Sequence, residues 1–215
     1  MSEPLRVALV CEGPTDKIVL AAILPGLLRR PVVVTMVQPM EEELTSGGSA
    51  LGFGWRGVRG WCQEVRAGRL STLHDWLSQY DLLIIHVDGD VAREPDVACA
   101  RPCPPAEDTA DALRAALLND LGLTAPPPGL VITTPMDATE AWLLPILRDE
   151  PSSECAPDPA ARFIGGEPKL MNQSRKKQTA RYRAASREIA AGWPRARGLS
   201  QFDRLERELE AWASG

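Results

Sequence analysis

The chain has 215 residues, 44% hydrophobic and 25% charged, an ordinary globular composition with room for one domain and a sizeable core, or one domain and an appendage. No apolar run approaches the roughly 18 to 20 residues of a membrane span, and the N-terminus enters a short apolar segment without the basic, apolar and small-residue order of a signal peptide, so a soluble cytoplasmic protein with no membrane contact is expected. The net charge of −5 by itself argues against nucleic acid, but it hides a split: residues 1–159 carry 12 Lys and Arg against 23 Asp and Glu, whereas residues 160–207 carry 12 against 4.

Residues 5–11, LRVALVC, form an almost continuous apolar run closed by Gly13-Pro14, the pattern of a strand buried on both faces of a parallel sheet. From Thr15, a potential N-cap, the period becomes helical through Ile18, Val19, Ala22, Ile23 and Leu27. Residues 31–37, 81–87 and 129–134 read as further strands, separated by helical patterns at about 61–79, 106–121 and 137–147. The alternation predicts an α/β fold with a doubly wound, mainly parallel sheet and helices on both faces. Residues 39–60 are glycine-rich and read as a long flexible loop, and residues 91–105 as a Pro-rich excursion rimming the end of the third strand. Residues 1–150 thus form the main domain. Residues 151–215 follow as a linker and a small basic helical extension packed on it, ending in a helix whose Phe202, Leu205, Leu209 and Trp212 share one face; that face could serve a homodimer or its own domain. The five cysteines are odd in number and scattered, so reduced thiols are expected, and Cys99 and Cys103 lack the further ligands of a zinc site.

In a parallel α/β sheet, ligands bind outside the carboxyl ends of the strands. Glu12 follows the first strand, Asp88 and Asp90 end the third, and Asp137 and Glu140 open the helix after the fourth, with Asp16 one helical turn beyond Glu12. Carboxylates gathered at one edge repel one another unless a cation sits among them, which points to Mg²⁺ or Mn²⁺ held by Glu12, Asp16, Asp88, Asp90 and Glu140. Asp16 also fits a helix N-terminus, and Asp137-Ala-Thr-Glu140 fits a capping box. His86 points to the same strand face as Asp88 and reads as a core or supporting histidine. Trp55 and Trp61 are candidates for stacking on bases or for packing within their own domain, and Trp142 reads as core. Arg56 and Arg59 in the glycine-rich segment, and Arg175, Lys176, Lys177 and Arg181 in the basic extension, are candidate phosphate contacts; a solvated helix face is the other reading of the basic stretch.

The stretch VALVCEGPTDKIVLAAIL, with Glu12-Gly13 after the first strand, and LLIIHVDGD, a hydrophobic strand running into Asp88-Gly89-Asp90, resemble the two signatures of the TOPRIM domain shared by topoisomerases, bacterial primases and the overcoming-lysogenization-defect (OLD) nucleases. Glu-Gly-Pro-Thr-Asp at 12–16 and the later Glu140-Ala-Trp-Leu-Leu are most similar to small stand-alone bacterial TOPRIM proteins related to the OLD nucleases. The resemblance covers residues 5 to about 147 and extends more weakly to the end. It implies a TOPRIM-like fold in which Glu12 acts in acid–base chemistry or holds a metal, Asp88 and Asp90 form the metal-binding pair, and Asp16 is a second acidic ligand. The activity implied is phosphodiester hydrolysis with one or two Mg²⁺ or Mn²⁺ ions, on DNA or RNA, in phage defence or repair. Lys169 is a candidate for neutralising charge on the reacting phosphate.

The Gly-x-x-x-x-Gly-Lys-Ser/Thr phosphate loop is absent, so an ATP-driven partner would be a separate chain. Two other functions remain open: a non-catalytic TOPRIM module that binds nucleic acid or a partner, and a Mg²⁺-dependent phosphohydrolase. The second needs an aspartate nucleophile directly after the first strand, where this chain has Glu12.

Overall fold

The computed structural model describes residues 3–40, 43–44, 50–97, 103–150, 154–155, 159–164 and 175–215, without the side chains of 161, 164 and 175–178. In chain order the elements are β1 (Leu5–Val10), α1 (Pro14–Leu28), β2 (Val32–Gln38), α2 (Gly54–Arg66), α3 (Leu73–Gln79), β3 (Leu82–His86), α4 (Ala106–Leu121), β4 (Leu130–Thr133), α5 (Glu140–Arg148), α6 (Pro159–Ile164), α7 (Arg175–Gly192) and α8 (Ser200–Ser214), with short 3-10 turns at Gly89–Arg93 and Trp193–Ala196.

The strands form one parallel sheet in the order β2-β1-β3-β4. The two-residue period of a strand sorts its side chains between two cores. On one face Val7 and Leu9 of β1, Leu82 and Ile84 of β3 and Val131 of β4 pack with α1, α5, α7 and α8, around the fully buried Trp142 and Phe202. On the other, Ala8, Val10, Leu83, Ile85 and Ile132 pack with α2 and α4 around Trp61, while α3 lies against the same core through partly buried Leu73, Trp76 and Leu77. Burial of both faces is why β1 and β3 read as unbroken apolar runs. The expected α/β fold is therefore present, with all described strands parallel and helices on both faces, an arrangement consistent with a Rossmann-like fold. The chain leaves β1 through α1 for β2 on one side, then crosses back to β3 on the other, so the strand order reverses between β1 and β3.

Several local expectations are corrected. Helix α1 is entered through Gly13 in extended conformation with Pro14 in the first turn, not capped by Thr15; proline's fixed φ suits that position. The glycine-rich segment is not loop to residue 60, because α2 already begins at Gly54. The helix expected over 61–79 is two helices, and Gly68, at φ 68°, lies in the segment between them. Helix α5 starts at Glu140, after the strained turn at Asp137. Cys103 and Cys155, expected as free thiols, are paired as a disulfide with their α-carbons 5.3 Å apart. A separation of 52 residues hides this pairing in the sequence; folding brings the Pro-rich excursion beside the linker. Cys11 and Cys62 are buried free thiols, and Cys99 lies outside the described residues.

The C-terminal extension shares the main core. Tyr182 and Ile189 of α7 and Phe202, Leu205 and Leu209 of α8 are buried in the cluster that covers β1 and β3, with Trp212 partly buried against it. Helix α8 also reaches the outer edge of β4, where the buried Arg114 of α4 donates to the Ile132 carbonyl and pairs with Glu208. Among the described residues no helix is long and apolar enough to cross a membrane.

Candidate active site

The strand-order reversal opens the carboxyl ends of β1 and β3 side by side, the place where open α/β sheets hold ligands. Glu12, two residues past β1, extends its carboxylate to the turn that follows β3, where Oε1 accepts the Asp88 N–H at 2.9 Å. The first turn of α2 closes on the same residue: the Gly54 N–H donates to the Glu12 carbonyl at 3.2 Å, and the Trp55 N–H to its carboxylate. A helix N-terminus thus faces the Glu12 charge and favours it. Burial outweighs this help; with Asp90 adding repulsion, it raises the Glu12 carboxyl from 4.5 to about 7.

Asp88 is held from the opposite side. Its Oδ1 accepts both the N–H and the hydroxyl of Thr139, each at 2.9 Å, and the Thr139 hydroxyl is 2.8 Å from Nε2 of the fully buried His86. Burial pushes His86 down to about 3, so the imidazole is neutral and acts as a support. Asp88 is raised well above the ordinary carboxyl range by burial and then by Asp16, Glu12, Glu140 and Asp90. Asp16 accepts the Gly13 N–H at 2.9 Å, the helix-terminus role, and it is also raised, from 3.8 to about 8, by burial and then by Glu12 and Glu140. Asp90 lies exposed at the rim and is raised by desolvation and then by Asp137.

The capping box expected at Asp137-Ala-Thr-Glu140 does not form. Asp137 adopts φ 64° and its carboxylate pairs with Arg93, while Glu140 accepts the Tyr182 hydroxyl from α7. Two long-range partners win over the local cap, and the second brings α7 onto the carboxylate cluster. Gly89 permits the tight turn between Asp88 and Asp90: a Cβ there would lie 2.4 Å from the Met136 side chain and 2.9 Å from the Asp137 nitrogen.

Glu12, Asp16, Asp88, Asp90 and Glu140 therefore lie within electrostatic range of one another. Their all-oxygen, acidic chemistry is what a hard Mg²⁺ or Mn²⁺ requires. Glu12, Asp16, Asp88 and Glu140 accept from N–H and O–H donors, and among the described residues no three His, Cys, Asp or Glu side chains are gathered as a ligand group.

The expected phosphate contacts fare differently. Arg56 pairs with Glu94 and Asp96 at 3.5 and 3.3 Å, and Arg59 pairs with Asp120 at 2.8 Å. Arg181 is exposed on α7, as are Arg183 and Arg187. Arg175, Lys176 and Lys177 lie in the first turn of α7 and their side chains are outside the described residues, as is the whole of Lys169. Trp61 is core, whereas Trp55 is half-buried beside Glu12. Thr139, which stands inside the Asp137–Glu140 stretch read as a capping box, and Tyr182 are the site residues whose roles the sequence does not reveal; each meets its carboxylate from another part of the chain.

No protein-family model, curated protein or solved structure matches the chain.

Proposed function

We propose that the chain is a divalent-metal-dependent nuclease of TOPRIM type that hydrolyses phosphodiester bonds. The observation supporting this reading is the tie between Glu12 and Asp88 across the switch point of the sheet, with Asp16, Asp90 and Glu140 close enough to raise the carboxyl pKa values around it. Glu12, Asp16, Asp88 and Asp90, with Glu140 behind them, are the residues that would hold Mg²⁺ or Mn²⁺, which when bound supplies Lewis-acid activation of the scissile phosphate. Thr139 and His86 orient Asp88, and the helix α2 N-terminus orients Glu12. Glu12, with its carboxyl near 7, is the group suited to exchanging a proton at neutral pH. The exposed arginines of α7 supply positive charge for a nucleic-acid backbone on an otherwise acidic protein. A role in phage defence or repair, action beside a separate ATPase chain and a homodimeric state belong to the same reading.

The engagement of the carboxylates by backbone donors favours a second reading, a TOPRIM scaffold that binds nucleic acid or a partner without cutting it. One assay separates the two: supercoiled plasmid, single-stranded DNA and RNA, each with Mg²⁺, Mn²⁺ or chelator, incubated with the wild type, Glu12→Gln and Asp88→Asn. The expected result is metal-dependent cleavage that falls at least about a hundredfold in both variants, consistent with loss of transition-state charge stabilisation. Cleavage unchanged by Asp88→Asn overturns the site, and metal binding without cleavage of any substrate moves the conclusion to the second reading.

A further inference from the structure

Beside the carboxylates lies a groove of ≈ 450 Å³, bounded by the start of α2, the turn after β3 and one side of α4. Its lining includes Trp55, Arg59, Val91, Val97, Ala116 and Asn119. The groove and the carboxylate cluster share a wall. Val87 and Val91, both lining residues, bracket Asp88 and Asp90 in the chain, and the backbone N–H of Trp55 donates to Glu12. The carboxylates themselves do not line the groove; Trp55 joins the two, its side chain lining the groove and its backbone N–H donating to Glu12. The volume is at the small end of small-molecule sites, about 300–1,000 Å³, and suits one nucleoside better than a length of strand.

The charges at this place select against phosphate. All three nitrogens of Arg59 donate to protein acceptors: Nε to Asp120 at 2.8 Å, Nη2 to Asp120 at 3.4 Å and Nη1 to the Asp96 carbonyl at 2.9 Å. Arg56 faces Glu94 and Asp96. The acidic partners offset the two arginines, so the groove carries no surplus positive charge. What it offers is flat and polarisable. Arg56, which is not among the lining residues, stands with its guanidinium carbon 4.6 Å from the centre of the Trp55 ring, while the lining Arg59 stands 5.9 Å from it and is pinned by a largely buried Asp120. Planar indole and guanidinium surfaces with aliphatic walls are what an uncharged heterocyclic ring stacks on. The Asn119 amide, which can donate and accept, stands among the lining groups for the edge of such a ring.

We infer that this groove is a nucleobase site, taking one unstacked base of the nucleic acid next to the phosphate held at the carboxylates. The inference rests on the nuclease reading for its substrate class. It makes the protein sensitive to bases rather than to the sugar-phosphate backbone alone, and it requires the base adjoining the cut to leave its stack.

The test is equilibrium binding in chelator, where nothing is cleaved. It compares a short single-stranded oligonucleotide with the same strand carrying abasic residues, using the wild type, Trp55→Leu and Ala116→Trp; the last fills the groove from the partly exposed side of α4. The wild type is expected to bind the base-bearing strand about tenfold tighter or more, the scale of one base–aromatic stack, and both variants to lose that preference. Equal binding of the two strands by the wild type, binding of neither, or a preference retained in Ala116→Trp overturns the base site. Cleavage by the wild type against Asp88→Asn is scored separately. A chain that cuts without base preference loses the groove assignment alone, and one that prefers bases but never cuts loses the nuclease reading alone.

Discussion

The Thr139 hydroxyl has one proton to give and two neighbours, the Asp88 carboxylate and His86 Nε2. Donating to Asp88, it must accept from His86, so the neutral imidazole carries its proton on Nε2, and Nδ1 is left as an acceptor, buried with no hydrogen-bond partner among the described residues. Thr139→Val removes the acceptor and strands a buried N–H, which should cost about 1–3 kcal/mol of unfolding free energy, whereas Thr139→Ser should recover most of it. Urea unfolding of the two variants decides this; equal stability would show that the hydroxyl holds nothing in place. Glu12, Asp88 and Asp90 were legible in the sequence because each carboxylate follows an apolar strand. Thr139 and Tyr182 were not, because their carboxylate partners lie 51 and 42 residues away and only folding makes them neighbours.

Among the elements, α2 shows why composition misled. Glycines suggest a flexible loop, yet Gly57 sits inside a helix because a Cβ there would lie 2.5 Å from the Gly52 carbonyl and 2.6 Å from the Gln38 amide nitrogen. The residue is small so that helix and loop can close together, a packing demand that propensity does not register. Helix α8 is the opposite case: its apolar face was plain from the spacing of Phe202, Leu205 and Leu209, and all three are buried. Phe202 packs edge-on against Trp142 with ring centres 5.3 Å apart. Phe202→Ala should therefore cost about 3–5 kcal/mol, as one cooperative loss of the whole protein in thermal unfolding. A separate early transition confined to the extension would show α8 to be an appendage and not part of the core.

Over the whole molecule, the carboxylate cluster opposes folding at neutral pH. Burial and mutual repulsion raise Asp16 from 3.8 to about 8 and Glu12 from 4.5 to about 7, so between these values the folded chain keeps protons that the unfolded chain releases. Their contribution to stability is fully present below about pH 4 and is lost as pH rises through 7 to 8. In chelator, the wild type should lose stability relative to Asp16→Asn over that range, the variant being more stable by on the order of 2 kcal/mol at pH 8.5. Millimolar Mg²⁺ or Mn²⁺ should raise the wild-type melting temperature at that pH by binding the folded state. Scanning calorimetry at pH 5 and 8.5, with and without metal, checks both; parallel curves for wild type and variant would mean that Asp16 ionises as freely in the fold as outside it.

The two borders of the sheet are unequal. Along β4, Arg114 and α8 occupy the border, whereas β2 at the other border shows Val33 half exposed and has neither Lys, Glu nor Pro within its span. Strands left this way accept another strand. With one border shielded, a second molecule that adds its own β2 to this one uses up the pairing edge of both, and no third can join. The consequence is one of geometry: with β4 shielded, any strand added at β2 would have no second border to extend from, so addition there would stop at a pair.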